Sequence, residues 1–204
     1  MRHSITYISC LLICLLSVCQ ATAQSASKIL DSASKMFSNS KSISATFALI
    51  DNGHSQNGSI IIAGNKFVIN TTQLSTWFDG KTQWSYSPQA NEVNIINPTA
   101  EEVRQINPFA IISDFRSNFN EKKLNSTKGT NKILLTSKNN QPLRNVELTL
   151  DASTHLPLLI VITAKNNTKA TIKIKTIKAG DAVNNSTFIF NEKKYPGVEI
   201  VDLR

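Results

Sequence analysis

The stretch "STWFDGKTQWSYSP", residues 75–88, contains both tryptophans of the chain, Trp77 and Trp84, on either side of Asp79-Gly80. Asp-Gly between two β-rich runs predicts a tight two-residue hairpin turn, because such a turn needs positive φ at both central positions. The stretch therefore predicts a β-hairpin. It also raises the question of whether two such large rings fill a core or line a place where an apolar ligand binds.

Short runs of the same kind continue on both sides of this hairpin, with turn signals between them. The predicted strands are "ISATFALI", "GSIIIAG", "KFVINTT", "STWF", "TQWSY", "NEVNII", "KILLTS", "NVELTL", "LPLLIVITA", "ATIKIKTI" and "TFIF". No internal repeat or long linker separates them. We therefore expect a mainly β (α+β) fold in a single domain, an open or half barrel of about ten to eleven antiparallel strands with a helical lid.

Alternation along these strands predicts which side chains point into the barrel, because inward apolar and outward polar residues alternate in small barrels. Beside Trp77, Phe78 points the other way, so one of the two should face outward or lie under a helix. Periodicity does not distinguish a solid core from a hollow one. The residues expected on the inner face, as candidate lining of a lipid cavity, are Phe47, Ile60, Ile62, Phe67, Ile69, Trp84, Tyr86, Val93 and Ile95.

Two segments show helical rather than strand periodicity. "SKILDSASKMFSNSKSI" places apolar residues at helical spacing and predicts an amphipathic helix at the start of the domain. Thr99 followed by Glu102 has the form of a capping box and predicts the start of a second helix. After Pro108, "FAIISDFRSNF" carries an aromatic and aliphatic stripe that ends at Phe119. We expect residues 99 to about 119 to cover the concave side of the sheet as a lid, with Val103, Ile106, Phe109, Ile112 and Phe115 facing it.

The first 23 residues have the form of a secretory signal peptide. Arg2 precedes an apolar run, and Ala21-Thr22-Ala23 is a small-residue cleavage site. We expect cleavage after Ala23, which leaves residues 24–204 as the mature domain. The alternative is a lipoprotein signal with Cys19 as the acylated residue, although Val18 is bulky for that motif. All three cysteines precede the cleavage site, so the mature chain should contain no disulfide.

The charge and the motif content exclude several classes of function. Removal of Arg2 leaves 21 basic against 14 acidic residues, a net charge of +7, but the lysines are scattered and not interleaved with aromatics. This pattern does not indicate a nucleic-acid interface. The mature chain contains no HExxH, GxSxG or P-loop motif and no cysteine ligand set, so we expect neither an enzyme nor a metal or cofactor site. His54 and His155 lie in predicted loops.

The order of these features resembles the periplasmic lipoprotein carrier family, the LolA-type chaperones, over nearly the whole mature chain. The family's hairpin pattern is matched by Asp79, Gly80, Trp84, Tyr86 and Pro88. Its lid pattern is matched by Pro108, Phe109, Ile111 and Ile112, and its last strand by Pro196, Gly197, Val198 and Asp202. The resemblance implies an open barrel whose cavity, beneath a helical lid, binds acyl chains of outer-membrane lipoproteins.

The resemblance also implies a location and partners. Such a carrier works in the periplasm, receives acylated lipoproteins from an inner-membrane ABC transporter and passes them to an outer-membrane acceptor. An alternative on the same fold is an adaptor that senses a lipid or lipoprotein. Well-studied members of the family hold the lid with an arginine after the second strand. This chain has Ala63 and Gly64 there, so we expect its lid to open more readily.

Overall fold

The computed structural model describes residues 26–138 and 142–204. The predicted signal peptide, with Cys10, Cys14 and Cys19, lies outside the described residues, and so does the expected first mature residue, Gln24. Within the described ranges, no helix combines the length and the apolar character that a membrane crossing needs.

One sheet dominates the described chain. Its strands are β1 (Ser42–Asp51), β2 (His54–Ala63), β3 (Lys66–Thr71), β4 (Ser75–Phe78), β5 (Gln83–Ser87), β6 (Glu92–Ile96), β7 (Phe119–Leu124), β8 (Thr130–Ser137), β9 (Leu143–Asp151), β10 (Pro157–Ala164), β11 (Lys169–Gly180) and β12 (Glu199–Asp202). They lie side by side in the order β12-β6-β5-β4-β3-β2-β1-β11-β10-β9-β8-β7. All neighbours are antiparallel except β12 and β6, which are parallel. The sheet ends at β12 and β7 and is not closed, which confirms the predicted open barrel.

Twelve strands exceed the expected ten to eleven, because periodicity predicts neither β7 nor β12 and assigns a strand to one run that does not form one. The run "TFIF" forms a 3-10 turn at Asn185–Phe188 instead of a strand. Strand β7 has no clear strand pattern, because Phe119 continues the apolar stripe of the lid. The charged residues that follow, "NEKK" at 120–123, then hide the alternation of the strand. Strand β12 is short and largely exposed, so its alternation is weak, and the resemblance rather than periodicity indicates a last strand there.

Four helical segments accompany the sheet. Helix α1 covers residues 26–39, and the lid consists of α2 (Ala100–Ile106), α3 (Ala110–Ser113) and α4 (Phe115–Asn118). The predicted capping box is confirmed: the Thr99 hydroxyl accepts the Glu102 N–H, and the Glu102 carboxylate accepts the Thr99 N–H at 2.7 Å. The expected continuous stripe after Pro108 is instead two single turns, separated at Asp114, where the backbone leaves the helical region.

The turn between β4 and β5 contains four residues, 79–82, so the predicted two-residue turn is wrong. The Asp79 carboxylate accepts the N–H groups of Lys81 and Thr82, both at 2.8 Å, and these bonds stabilise the longer loop. Gly80 has φ of +101°, and a Cβ there would lie 2.7 Å from the Asn65 side chain. A larger residue would therefore strain the backbone and displace Asn65.

The main core lies between the lid, helix α1 and one face of the sheet, which we call the lid face. Cross-strand register defines this face in the first half of the sheet, where Ile62 opposes Phe67 and Phe67 opposes Phe78. The Phe67 and Phe78 rings are 5.3 Å apart. The second half of the sheet contributes buried residues to the same core: Ile133, Leu135, Val146, Leu148, Leu150, Ile160 and Ile172.

The tryptophans lie on the opposite face of the sheet, which we call the outer face. Trp77 opposes Trp84, whereas the neighbouring pair, Phe78 and Gln83, belongs to the lid face. By the same register Tyr86 opposes Val93, and Ile95 opposes Trp84. The expectation that Trp84, Tyr86, Val93 and Ile95 share an inner face with Phe67 and Ile69 is therefore wrong. Alternation separates the two faces of a strand, but it does not say which one meets the lid.

The C-terminal segment covers this outer face. Phe188, in the first of two 3-10 turns, is fully buried, and the ring of Phe190 lies 5.4 Å from that of Trp77. The ring of Tyr195 lies 4.5 Å from that of Tyr86, and burial raises the pKa of the Tyr195 hydroxyl. Strand β12 then pairs with β6. The two tryptophans thus belong to a second, smaller core, beneath the C-terminal segment.

Two adjacent residues test whether the second core contributes to stability. Phe188 is fully buried, whereas Ile189 is 43% exposed. Phe188→Ala should lower the free energy of unfolding by about 3–5 kcal/mol, because it removes a buried ring and leaves a cavity. Ile189→Ala should change it by under about 1 kcal/mol. Urea unfolding followed by tryptophan fluorescence measures both, and equal effects of the two variants would contradict a packed outer-face core.

Candidate functional site: a cavity beneath the helical lid

A cavity of about 600 Å³ lies between the lid and one end of the lid face. This volume falls within the range of about 300–1,000 Å³ that ligand sites usually have. Its apolar wall comes from helix α1, strands β1, β2 and β4, and the lid. The residues of that wall are Phe37, Ile43, Ile62, Phe78, Pro98, Ala100, Val103, Phe109 and Ala110.

The polar lining of the cavity, which we call the rim, comes from chain turns, from the lid and from the end of helix α1. The β2–β3 turn supplies Gly64 and Asn65, and the β4–β5 turn supplies Gly80. The lid contributes Arg104, Asn107, Ser113 and Asp114, and the end of helix α1 contributes Ser38 and Ser40. Such an arrangement suits an amphiphile, whose apolar part can enter the wall region while its polar part stays at the rim.

The lid is anchored by a packed part of the core beside the cavity. Ile111 and Ile112 are fully buried, and Phe115 is 2% exposed, so α3 and the start of α4 are buried among the sheet residues. In contrast, α2 buries none of its residues fully, and its Val103 lines the cavity. The rings of Phe109 and Phe37 are 5.7 Å apart and join the lid to helix α1. The lid therefore has a well-packed part, which still borders the cavity through Ala110 and Ser113, and a loosely packed part, α2.

Only part of the predicted lining borders this cavity. Ile62, Val103 and Phe109 line it, whereas Phe47 is a core residue that lines a separate groove of about 420 Å³. Ile60 and Phe67 are buried in the packed core, and Ile69 and Ile106 pack against it, partly exposed. Ile112 and Phe115 are also core residues. Trp84, Tyr86, Val93 and Ile95 lie on the other side of the sheet, as the register shows.

Several residues of the cavity were absent from the predicted set. The sequence contains a signal for Phe37 and Phe78. Phe37 ends the apolar stripe of α1, and Phe78 must point to the opposite face of β4 from its neighbour Trp77. Arg104 and Asn107 gave no signal, since a polar residue on a short amphipathic helix is expected to face solvent. Asn107 is 6% exposed and its side chain accepts the Phe109 N–H at 3.1 Å, so it orients the start of α3.

Helix α1 holds the lid through an ion pair. The Arg116 guanidinium, on α4, donates to both carboxylate oxygens of Asp31, on α1, at 3.1 and 2.6 Å. The bond to Asp31 raises the pKa of Arg116. The Lys138 ammonium donates to the Arg116 carbonyl at 2.6 Å. These bonds connect the lid to α1 and to the end of β8.

Where the resemblance implies an arginine that holds the lid, this chain has Ala63 and Gly64, which cannot supply such a contact. Ile62 faces the lid, so Ala63, the next residue of β2, faces the other way. Gly64 follows in the turn with φ of +61°, a conformation that a longer side chain disfavours. The pair of Asp31 and Arg116 is the bidentate ion pair on the lid among the described residues.

The charged groups on and next to helix α2 are unevenly paired. Thr99 holds the pKa of Glu102 below its ordinary value, chiefly through its backbone N–H, and Glu102 is exposed. The Arg104 side chain, one helical turn from the capping residue, is only 13% exposed. Its partner is Asp114, whose carboxylate oxygen lies 3.7 Å from the Arg104 guanidinium and whose side chain is 49% exposed. Arg104 is thus the largely buried cation of this cavity.

Residues 16–166 match a protein family described as outer membrane lipoprotein carrier protein LolA. Among solved structures, an uncharacterized conserved protein from Thermus thermophilus is similar, with a TM-score of 0.60 and 14% identity over 87% of this chain and 99% of that one. MucB has a TM-score of 0.51 and 16% identity over 82% of this chain and 63% of that one. A LolA superfamily protein from Nitrosomonas europaea has a TM-score of 0.43 and 12% identity, over 81% and 97% of the two chains. No curated protein matches the sequence.

The ion pair of the lid gives a prediction that separates local from global stability. Asp31→Ala should change the free energy of unfolding by under about 1 kcal/mol, because the pair is exposed. It should nevertheless speed hydrogen exchange of the amides in residues 110–118, because the lid loses its bond to α1. Asp202→Ala is the matched control, since Asp202 makes the same bidentate contact with Arg204. Unchanged exchange in Asp31→Ala would show that packing alone holds the lid.

Proposed function

Because this chain belongs to the family of outer membrane lipoprotein carrier protein LolA, we propose that it binds acyl chains of lipoproteins and carries them from the inner to the outer membrane. The observation that carries the proposal is the cavity of about 600 Å³ between the lid and the apolar lid face. An acyl chain in this cavity would contact Phe37, Ile62, Val103 and Phe109.

Transfer of an acyl chain through water needs an apolar compartment. Each buried methylene contributes about 0.8 kcal/mol, so a single long chain gains on the order of 10 kcal/mol from burial. A carrier must provide most of this free energy and still release the chain at a membrane. Apolar walls without a fixed polar anchor along their length meet both needs, because they bind chains of different length in several registers.

The uneven anchoring of the lid supports uptake and release. Ile111, Ile112 and Phe115 keep α3 and α4 attached, whereas α2 contacts the cavity with partly exposed residues such as Val103. A displacement of α2 alone would widen the cavity without loss of the packed core. We propose that α2 moves first when a chain enters, and that the absence of the family's arginine at Ala63 or Gly64 makes ligand exchange fast.

The proposed route requires partners and a location. We propose that the chain acts in the periplasm, receives acylated lipoproteins from an inner-membrane ABC transporter and delivers them to an acceptor in the outer membrane. The ligand should therefore be present when the protein is isolated from its native compartment. Mass spectrometry of the isolated protein tests this directly. Recovery of lipoprotein or lipid supports a carrier, whereas a ligand-free protein from every preparation contradicts it.

The proposed location depends on the first 23 residues. We propose that they are removed as a signal peptide and that residues 24–204 form the mature domain. Intact-mass measurement of the exported protein should then give a chain that begins at Gln24 and contains no thiol. A diacylglycerol adduct on Cys19 would instead show an anchored protein.

Two residues of helix α2 test the cavity itself. Val103 lines the cavity, whereas Gln105, two residues later, is exposed. Val103→Asp should abolish binding of a fluorescent fatty-acyl probe, because it places a carboxylate against the chain. The melting temperature should fall only slightly, since Val103 is already partly exposed. Gln105→Asp adds the same charge on the outer side of the helix and should leave both binding and melting unchanged.

The probe-binding test needs a residue that lines the cavity and is not part of the packed core. Ile112 is fully buried, so Ile112→Asp should unfold the domain and cannot report on ligand binding. Equal probe binding by Val103→Asp and the wild-type protein would refute a chain bound beneath α2. Loss of folding in Val103→Asp would show that this helix belongs to the solid core.

A further inference from the structure

A single arginine at the cavity is poorly paired for its degree of burial. This arginine is Arg104, which lines the cavity together with Val103 and Asn107 and whose side chain is 13% exposed. In residues 26–138 and 142–204, its one ionic contact is Asp114, at 3.7 Å, which is longer than a hydrogen bond. A guanidinium carries five N–H donors, so Arg104 presents several donors toward the cavity that no acceptor of the described chain engages.

The unpaired donors of Arg104 still reach solvent, since no nitrogen of this side chain is among the fully buried polar atoms without a partner in the described residues. A ligand acceptor would replace that water with a charge-assisted hydrogen bond. The other lid arginine is better paired: Arg116 is 61% exposed and forms two hydrogen bonds with Asp31. Arg104 is the more buried of the two and has the weaker partner. The donors of Arg104 therefore remain available to a ligand.

The geometry of the cavity defines the chemistry of that ligand. The wall of the cavity is apolar, with Phe37, Ile62 and Phe78, and the cation lies among the polar groups of the rim. An anion on a long apolar chain would satisfy both parts at once, because the planar guanidinium matches the two oxygens of a carboxylate or phosphate. Asp114 is half exposed and can turn toward solvent, so it does not block the remaining donors.

We propose that Arg104 binds the anionic head of an amphiphile whose acyl chain occupies the cavity. This inference rests on the proposed acyl-chain cavity and adds a selection by charge, which an apolar cavity alone does not provide. A neutral acyl ester would fill the same wall but would leave the guanidinium without an acceptor. The site should therefore prefer an acid or a phosphate to a neutral ester of equal chain length.

The experiment compares two probes with the same acyl chain, one ending in a carboxylate and the other in a neutral methyl ester. cis-Parinaric acid and its methyl ester report binding by fluorescence, both below the concentration at which they form micelles. The wild-type protein should bind the acid about tenfold more tightly or better, as expected for a charge-assisted hydrogen bond. Arg104→Met should remove this preference and retain ester binding. Arg144→Met is the matched control, because Arg144 is exposed on β9, where it donates to Asn167, and the variant loses the same charge outside the cavity.

The wild-type protein also gives a test that needs no variant. A rise in salt from about 50 to about 500 mM shortens the Debye length roughly threefold, so it should weaken binding of the acid more than that of the ester. Equal affinity for acid and ester in the wild-type protein would overturn the role of Arg104 and leave the acyl-chain cavity intact. Failure of both probes to bind would overturn the proposed function and this inference with it.

Two kinds of ligand share the required chemistry, namely a free fatty acid and a lipid with an anionic phosphate head. Displacement of the bound probe by hexadecanoate or by lysophosphatidylglycerol distinguishes them. The stronger competitor identifies the source of the anion. In both cases Arg104→Met should reduce the difference between the anionic competitor and a neutral monoacylglycerol. A difference of the same size in wild type and Arg104→Met would contradict the proposal.

Discussion

Apolar burial beneath the lid determines the architecture, since the backbone bond that joins the lid to the sheet in the described residues lies at one end, where the Lys138 N–H donates to the Asn118 carbonyl at 2.9 Å. Ile111, Ile112 and Phe115 belong to the same buried core as helix α1 and the sheet, and their burial holds two single helical turns that would not be stable alone. Because these residues are close to the C-terminal end of the lid, α2 is left with partial contacts. The cavity is the space that this asymmetry leaves between α2 and the strand turns.

A second constraint acts on the other side of the sheet. Strands β4 to β6 carry their largest rings, Trp77, Trp84 and Tyr86, away from the lid, so the sheet has apolar groups on both faces. The C-terminal segment covers the outer face with Phe188 and Tyr195. The molecule is therefore a layered structure in which one layer, the lid, encloses a cavity and the other is a packed cover.

The sequence predicts the open barrel, the lid and the capping box because each depends on local periodicity or on a short motif. It does not predict which face of β5 meets the lid, since Gln83 and Ser85 alternate with Trp84 and Tyr86 equally well in either orientation. The local pairing with β4 places Trp84 beside Trp77, but the C-terminal cover, far along the chain, decides which face is the outer one. The cavity is likewise beyond periodicity: Val103 and Ile112 have the same apolar character, but one borders empty space and the other a full core.

The order of the strands has a consequence for how the chain acquires its fold. Strand β1 pairs with β11 from Ser42 with Gly180 to Asp51 with Ala170, so the middle of the sheet joins segments that are far apart in the sequence. Contacts of this kind slow folding, because a long loop must close before its contacts contribute. The two halves of the sheet cannot be joined until β11 has been made. Until then Phe47 lacks Ile174, its partner on β11, and the apolar surface of the incomplete sheet favours aggregation.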